Sequence, residues 1–340
     1  MKYKVGMYGG SFDPLHLGHL QVMIQGACEC EELYIVLSCS VSRDHVPREY
    51  RYRWIRNSLK HIPGIQIIFL EDTADSKEEY NQAHYWEEGA FFVKQQIGKR
   101  IDVVYCGSDY KGGNRYESLY PESEIVYIDR EKIPISSTEI RSNPFQYWEY
   151  IPKVAKPYYT KKILLIGGES TGKSTLTQNL ALAFNTNFVE EIGREICEQA
   201  GMEDTMVAED LQKCLIYQKA EMWKQIEHSN KLLFVDTDAL ITKFFIQFLL
   251  DKGEERRKCE VMADAISEVN EFDLIFFLEP TVAFVQDGTR NEKIMQDREK
   301  YSNQIKKLFD EAGYEYICLG GDYKERFLKA KEIVKEKFGV

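Results

Sequence analysis

The sequence predicts an α/β protein made of two parallel-sheet domains. Three observations carry that expectation. The chain has 340 residues, and domains usually hold about 150 residues each. Two segments, Tyr3 to Gly10 and Lys162 to Gly168, begin alike, as an apolar strand that runs into a glycine turn and then a helix. After each start, apolar runs of strand length alternate with helical stretches, the pattern of βαβ units.

In the first half, further strands are expected at 33–38, 65–70, 101–105 and 124–128, with helices near 18–30, 51–61 and 82–98. In the second half, strands fit 162–166, 186–189, 231–236, 273–278 and 314–318. Helices there fit 173–184, 190–200, 208–228, 238–251 and 322–337. The domains are therefore set at 1–144 and 162–340. Between them, 145–161 holds Pro152 and Pro157 but also Phe145, Tyr147, Trp148, Tyr150, Tyr158 and Tyr159. A floppy linker is polar, so this stretch reads as a packed connector with the two domains in contact.

Composition limits the function. Lys plus Arg number 44 and Asp plus Glu 55, a net charge of −11, with 44% hydrophobic and 29% charged residues. These values exclude a disordered chain, a collagen and a disulfide miniprotein. The acidic balance argues against a surface that grips nucleic acid throughout. No apolar run approaches the roughly 18–20 residues needed to span a bilayer, and Met1 to Gly6 lacks a signal peptide's apolar core. The eight cysteines are scattered without a C-x-x-C pair, as expected of reduced thiols in a cytoplasmic protein. Oligomeric state is left open.

Residues 9–19 read Gly-Gly-Ser-Phe-Asp-Pro-Leu-His-Leu-Gly-His. His16 and His19, three apart at a helix start, share one face. The helix N-terminus there offers unpaired N–H groups and a positive dipole end to phosphate. The segment resembles the H-x-G-H nucleotidyltransferase superfamily, whose members join a phosphate or phosphorylated substrate to AMP or CMP. Ile135-Ser136-Ser137-Thr138-Glu139-Ile140-Arg141 resembles that superfamily's I-S-x-T-x-I-R segment, which contacts ATP phosphates; Ser137 and Thr138 can equally cap a helix.

The resemblance implies attack of a substrate phosphate on the α-phosphorus of ATP. Gly9, Gly10, Ser11 and Phe12 would line the ATP site. His16 and His19 would serve the triphosphate, His19 nearest the α-phosphate, and Ser137, Thr138 and Arg141 the β and γ phosphates, with Mg²⁺ bridging. Asp109, in Gly107-Ser108-Asp109, is a candidate for adenosine or the nucleotide substrate. Arg51 and Trp54, from a basic cluster with Arg43, Arg48, Arg53 and Arg56, are substrate candidates or parts of a solvated helix. Trp86 could stack a flat base or pack in the core.

Residues 167–175 read Gly-Gly-Glu-Ser-Thr-Gly-Lys-Ser-Thr, a G-x-x-x-x-G-K-S loop between a strand and a helix. Its backbone N–H groups would cradle phosphates, with Glu169, Ser170, Thr171, Gly172 and Thr175 alongside Gly167. Lys173 would reach the β and γ phosphates of ATP, and Ser174 would bind Mg²⁺. Asp236, at a strand tip, would hold Mg²⁺, directly or through water, or accept a proton. Asp238 is a substrate candidate or a helix cap. Glu191 is a candidate for holding a substrate hydroxyl or a favourable acid in a first helical turn, with Arg194 beside it. Arg290 and Arg298 read as lid arginines that reach the transferring phosphoryl group, or as surface charges.

The order of motifs resembles the NadR-type family, bifunctional nicotinamide-nucleotide adenylyltransferase and ribosylnicotinamide kinase. Matching segments include His16 to His19, Ile135 to Trp148, Gly167 to Thr175, Glu191-x-Gly193-Arg194, Phe234 to Asp238 and Asp287-Gly288-x-Arg290. The resemblance implies that the C-terminal domain phosphorylates ribosylnicotinamide and that the N-terminal domain adenylylates the product to NAD. Phe284 would stack on nicotinamide, or pack in the core. A fused adenylyltransferase and kinase for another phosphorylated vitamin, of flavin or pantetheine type, or for another nucleoside, is the alternative. With its first strand at Tyr3, the chain is expected to lack a helix-turn-helix domain and to bind neither DNA nor membrane.

Overall fold

The computed structural model describes residues 1–113, 115–129, 134–286 and 291–340, with only the backbone of Asp109. The chain divides into two compact units, Met1–Ala155 and Lys156–Val340. Six of the eight cysteines are buried, and Cys28 and Cys318 are exposed.

The first unit holds five strands: β1 Tyr3–Gly10, β2 Cys30–Cys39, β3 Ile65–Glu71, β4 Val103–Gly107 and β5 Glu124–Ile128. They pair in parallel in the order β3-β2-β1-β4-β5. The strand order reverses at β1, so the crevice where ligands enter open α/β sheets lies at its carboxyl end. One side of the sheet packs Val5, Met7, Val36 and Val104 against Val93 and Ile97 of the helix Ala83–Ile97. Phe145, Trp148 and Ile151 are buried within this unit as well, and the Phe145 and Trp148 rings meet edge to face at 5.8 Å.

The second unit holds β6 Lys161–Gly167, β7 Phe188–Val189, β8 Leu232–Asp236, β9 Leu274–Leu278 and β10 Ile317–Leu319. All pair in parallel in the order β10-β9-β6-β8-β7. Ile163 to Ile166 of the central β6 are fully buried. Each such side chain stabilises the fold by about 1.5–3 kcal/mol. This unit again reverses its strand order at the strand that leads into the glycine turn.

Two long helices escaped the sequence reading, Glu254–Glu268 and Arg298–Glu311. The first buries only Cys259, Ala263 and Ser267, at four-residue spacing. Small residues pack well against a neighbouring helix but give almost no apolar signal. Strands expected at 186–189 and 314–318 shorten to Phe188–Val189 and Ile317–Leu319, because only those residues find a partner strand.

Candidate functional sites

At the end of β1 the chain turns through Ser11 to Leu15 and enters the helix Leu17–Glu29, with His16 as its N-cap. The His16 N–H donates to His19 Nδ1 at 3.4 Å, and the two rings stack at 3.6 Å. Because Nδ1 accepts, the neutral His19 ring carries its proton on Nε2. Phe12, buried and with φ +48°, sets its ring edge-on to His19 at 5.0 Å.

The I-S-x-T segment docks on the same turn. Ser137 Oγ donates to the Pro14 carbonyl at 2.9 Å, and Arg141 donates to the Asp13 carbonyl and to Thr138 Oγ1. The helix Ser137–Ser142 is capped by Ser136, in a box with Glu139, and not by Ser137 or Thr138. Both residues line the cavity; the Ser137 hydroxyl proton is committed to Pro14, while Thr138 Oγ1 accepts from Arg141 and keeps its own proton to donate.

That cavity, of about 1120 Å³, is lined by Gly9, Gly10, Ser11, Phe12, His16, His19, Ser137, Thr138, Arg141 and Trp86. Two sequence candidates lie elsewhere. Arg51 is fully buried and is absent from the lining; it donates to the carbonyls of Ser11 (2.6 Å) and Ser38 (3.1 Å) and pairs with Asp44. It ties the ends of β1 and β2 together and has no surface for a substrate. Trp54 is buried on the same helix, 6.4 Å from the Tyr50 ring, and is core. The side chain of Asp109 is outside what the structure describes.

Trp86 does reach the cavity, but its surroundings are filled. Its Nε1–H donates to the Tyr80 carbonyl at 2.7 Å, Arg115 lies 4.6 Å over its ring, and Tyr116 meets it edge-on. Of the basic cluster, Arg43 lines the cavity. It pairs with Asp72, donates to the Ala74 carbonyl at 2.9 Å and sits 4.8 Å over Tyr80. The aromatic wall of Tyr80, Tyr110 and Tyr116 was not foreseen, because its members come from separate segments and form no short motif.

In the second unit β6 runs into the loop 167–172 and the helix Lys173–Ala183. Gly167 has φ +149°, and a Cβ there would stand 2.6 Å from the Leu278 carbonyl oxygen. Lys173 is buried and donates from Nζ to the Gly168 carbonyl at 3.2 Å, across the loop. All of 167–175 faces a cavity of about 190 Å³, together with Glu191, Arg194, Glu203 and an apolar wall of Phe244, Phe245 and Tyr301.

Asp236, last residue of β8 and 1% exposed, is not among the residues that line this cavity, although its neighbour Thr237 is. Thr237 Oγ1 donates to the Asp236 Oδ1 at 3.3 Å, the Ser174 hydroxyl is near enough to favour the charged form of that carboxyl, and its Oδ2 has no hydrogen-bond partner among the described residues. Burial and the Glu191 charge raise its pKa to about 6 despite Lys173. A hydroxyl beside a buried carboxylate with an unused oxygen fits a hard divalent cation such as Mg²⁺.

Other candidates need correction. Asp238 caps the helix Ala239–Leu249, accepts from Asn270 Nδ2 at 2.8 Å and does not line the cavity. Phe284 also lies off the cavity, with its ring 5.4 Å from the Arg298 guanidinium. Arg298 donates to the carbonyls of Val282 (2.7 Å) and Ser170 (3.2 Å), so it braces the loop from behind. Arg290, with Asp287 and Gly288, lies outside the described residues. The sequence reading missed Gln218, a buried amide that accepts from Ile192 N–H at 3.0 Å and donates to the Asp236 carbonyl at 2.9 Å. It fixes the Glu191 turn to the tip of β8.

Comparison with known proteins follows the same division. Residues 7–143 match the cytidylyltransferase-like family and residues 162–326 the AAA domain family. The trifunctional NAD biosynthesis/regulator protein NadR of Escherichia coli K12 is 30% identical over 99% of this chain and 84% of its own length. Its Salmonella typhimurium counterpart is 30% identical over 98% of this chain and 83% of its own. Over 42% of the chain, phosphopantetheine adenylyltransferase of Mycoplasma mycoides is 29% identical, with 97% of its length covered. A crystal structure of NadR protein in complex with NR superposes with a TM-score of 0.84 at 24% identity, covering 100% of this chain and 97% of that one. On the whole-length relationship to the two enterobacterial proteins, the chain belongs to the NadR family.

Proposed function

We propose that the chain makes NAD in two transfers. In the second unit, the γ-phosphoryl of ATP passes to the 5′-hydroxyl of ribosylnicotinamide. In the first, the nicotinamide mononucleotide so formed attacks the α-phosphorus of a second ATP, giving NAD and pyrophosphate. The observation that carries this reading is that both glycine turns open into cavities at the carboxyl ends of their central strands, with their histidines and lysine at hand. The relatives' own descriptions, NAD biosynthesis for the E. coli protein and complexes with NR and with NAD and AMP-PNP for the crystal structures, support the choice of substrate.

The residues divide the work by chemistry. In the first unit no covalent nucleophile is needed, because the substrate phosphate is itself the attacking group. Catalysis there is alignment and neutralisation of charge. His19 offers its Nε2–H to the α-phosphate, and Ser137, Thr138 and Arg141 hold the leaving pyrophosphate. In the second unit the loop amides and Lys173 hold the β and γ phosphates. Glu191, at the start of the helix Ile192–Ala200 and on the cavity wall, accepts from the substrate hydroxyl, and Arg194 stands beside it. Ser174 and Asp236 would hold Mg²⁺, which when bound draws charge off the phosphates.

Incubation of the full chain with ATP and Mg²⁺ tests the reading. Ribosylnicotinamide should yield nicotinamide mononucleotide and then NAD, with ADP and pyrophosphate released. Turnover of pantetheine phosphate or flavin mononucleotide in place of the pyridine nucleotides would overturn it.

A further inference from the structure

A phosphate-binding loop turns N–H groups inward, which turns carbonyl oxygens on the same peptides outward. The loop 167–172 does this with positive φ at Ser170 (+55°) and Gly172 (+86°). Outward carbonyls buried against protein need donors of their own. Arg298 serves the Ser170 carbonyl at 3.2 Å. The next carbonyl, of Thr171, is served by Arg326 from the C-terminal helix Tyr323–Phe338, at 2.5 Å.

Arg326 is 1% exposed. Its guanidinium also donates to the Glu279 carbonyl (2.5 Å) and to Thr281 Oγ1 (2.6 Å), just beyond the end of β9. All three acceptors are neutral oxygens. A buried guanidinium ordinarily sits against a carboxylate, since burial of a charge without an opposite one is costly. Here the hydrogen-bond acceptors carry no charge, the carboxylates of Glu279 and Asp322 act on the guanidinium only through space, and it stands against the outer side of a loop whose inner side is shaped for a polyanion.

We infer that Arg326 is a positioning residue for the nucleotide in the second unit. It locks the Thr171 peptide so that the loop amides converge, and it adds positive charge to the phosphate site without touching the phosphates. The inference rests on the reading of this loop as the ATP site of a kinase.

The test compares the full chain with Arg326→Met and Arg326→Lys in the kinase assay, with adenylyl transfer by the same preparations as a check on handling. Loss of a hydrogen bond from a charged donor predicts a KM for ATP raised about tenfold in Arg326→Met. Arg326→Lys, which keeps the charge and loses the fork, should fall between. The KM for the nucleoside and the adenylyl transfer rate should stay as they are. An unchanged KM for ATP in Arg326→Met, or equal rises for both substrates, would overturn the inference. Should the second unit of Arg326→Met fail to fold, Arg326→Lys decides alone, and wild-type kinetics in it would be refuting. If the unsubstituted chain phosphorylates no pyridine nucleoside, the functional reading falls. Titration with a fluorescent ATP analogue would then still decide the role of Arg326, by the same weakening or its absence.

Discussion

Glu203, buried, and Glu169 of the phosphate-binding loop line the same cavity, close enough for each carboxyl to act on the other's charge. Burial pushes Glu203 up to about 9, the Glu169 charge adds to it, and burial raises Glu169 as well. Asn291 donates its N–H to Glu169 at 3.3 Å and its amide to Asp204 at 3.0 Å.

The sign of the resulting pH dependence is fixed. The native state keeps the Glu203 proton where the unfolded chain has lost it, so stability falls as pH rises from about 4.5 towards about 9. Glu203→Gln, an isostere of the protonated form, should match wild type near pH 5. It should unfold at a higher temperature at pH 8.5, by about 2 °C or more. Thermal melts across that range check this. Parallel curves for the two proteins would show that no proton is retained there.

Lys173→Ala and His19→Ala should separate the two activities. The first should lower kinase kcat by about 10²-fold or more, with adenylyl transfer intact, and the second should do the reverse. Paired assays on the same preparations measure this. Loss of both reactions in a folded Lys173→Ala would refute the assignment of one site to each unit.

Arg51→Leu should destabilise the first unit by about 3–5 kcal/mol, because Asp44 and the carbonyls of Ser11 and Ser38 lose their shared donor. Denaturant unfolding followed by the tryptophan signal reads this out. A folded Arg51→Leu with only a raised KM for nucleotide would instead return Arg51 to the substrate.

Gly167→Ala should cost at least about 2 kcal/mol, since a methyl group there meets a backbone oxygen that cannot step aside. Urea denaturation of the kinase unit measures the loss. A variant as stable as wild type would mean that β6 and β9 part more readily than their packing indicates.

Much of this was legible from the chain alone, for identifiable reasons. Val5 to Tyr8 of β1 and Ile163 to Ile166 of β6 are buried on both faces and lead straight into glycine. The phosphate loops depend on local spacing, which a sequence displays directly. What stayed hidden depends on contacts far apart in the chain. Arg51 and Arg326 look like surface charges until the carbonyls of residues 40 and 155 positions away are placed beside them. Phe284 and Asp238 have suitable chemistry, but their side chains turn to Arg298 and Asn270 instead of the cavity.

The single amide of Gln218 joins the helix that starts at Ile192 to the tip of β8. The wall that Glu191 and Arg194 give to the cavity is therefore not a portable cassette. Residues 190–200 transplanted into another P-loop scaffold would arrive without their anchor, and residue 218 would have to travel with them.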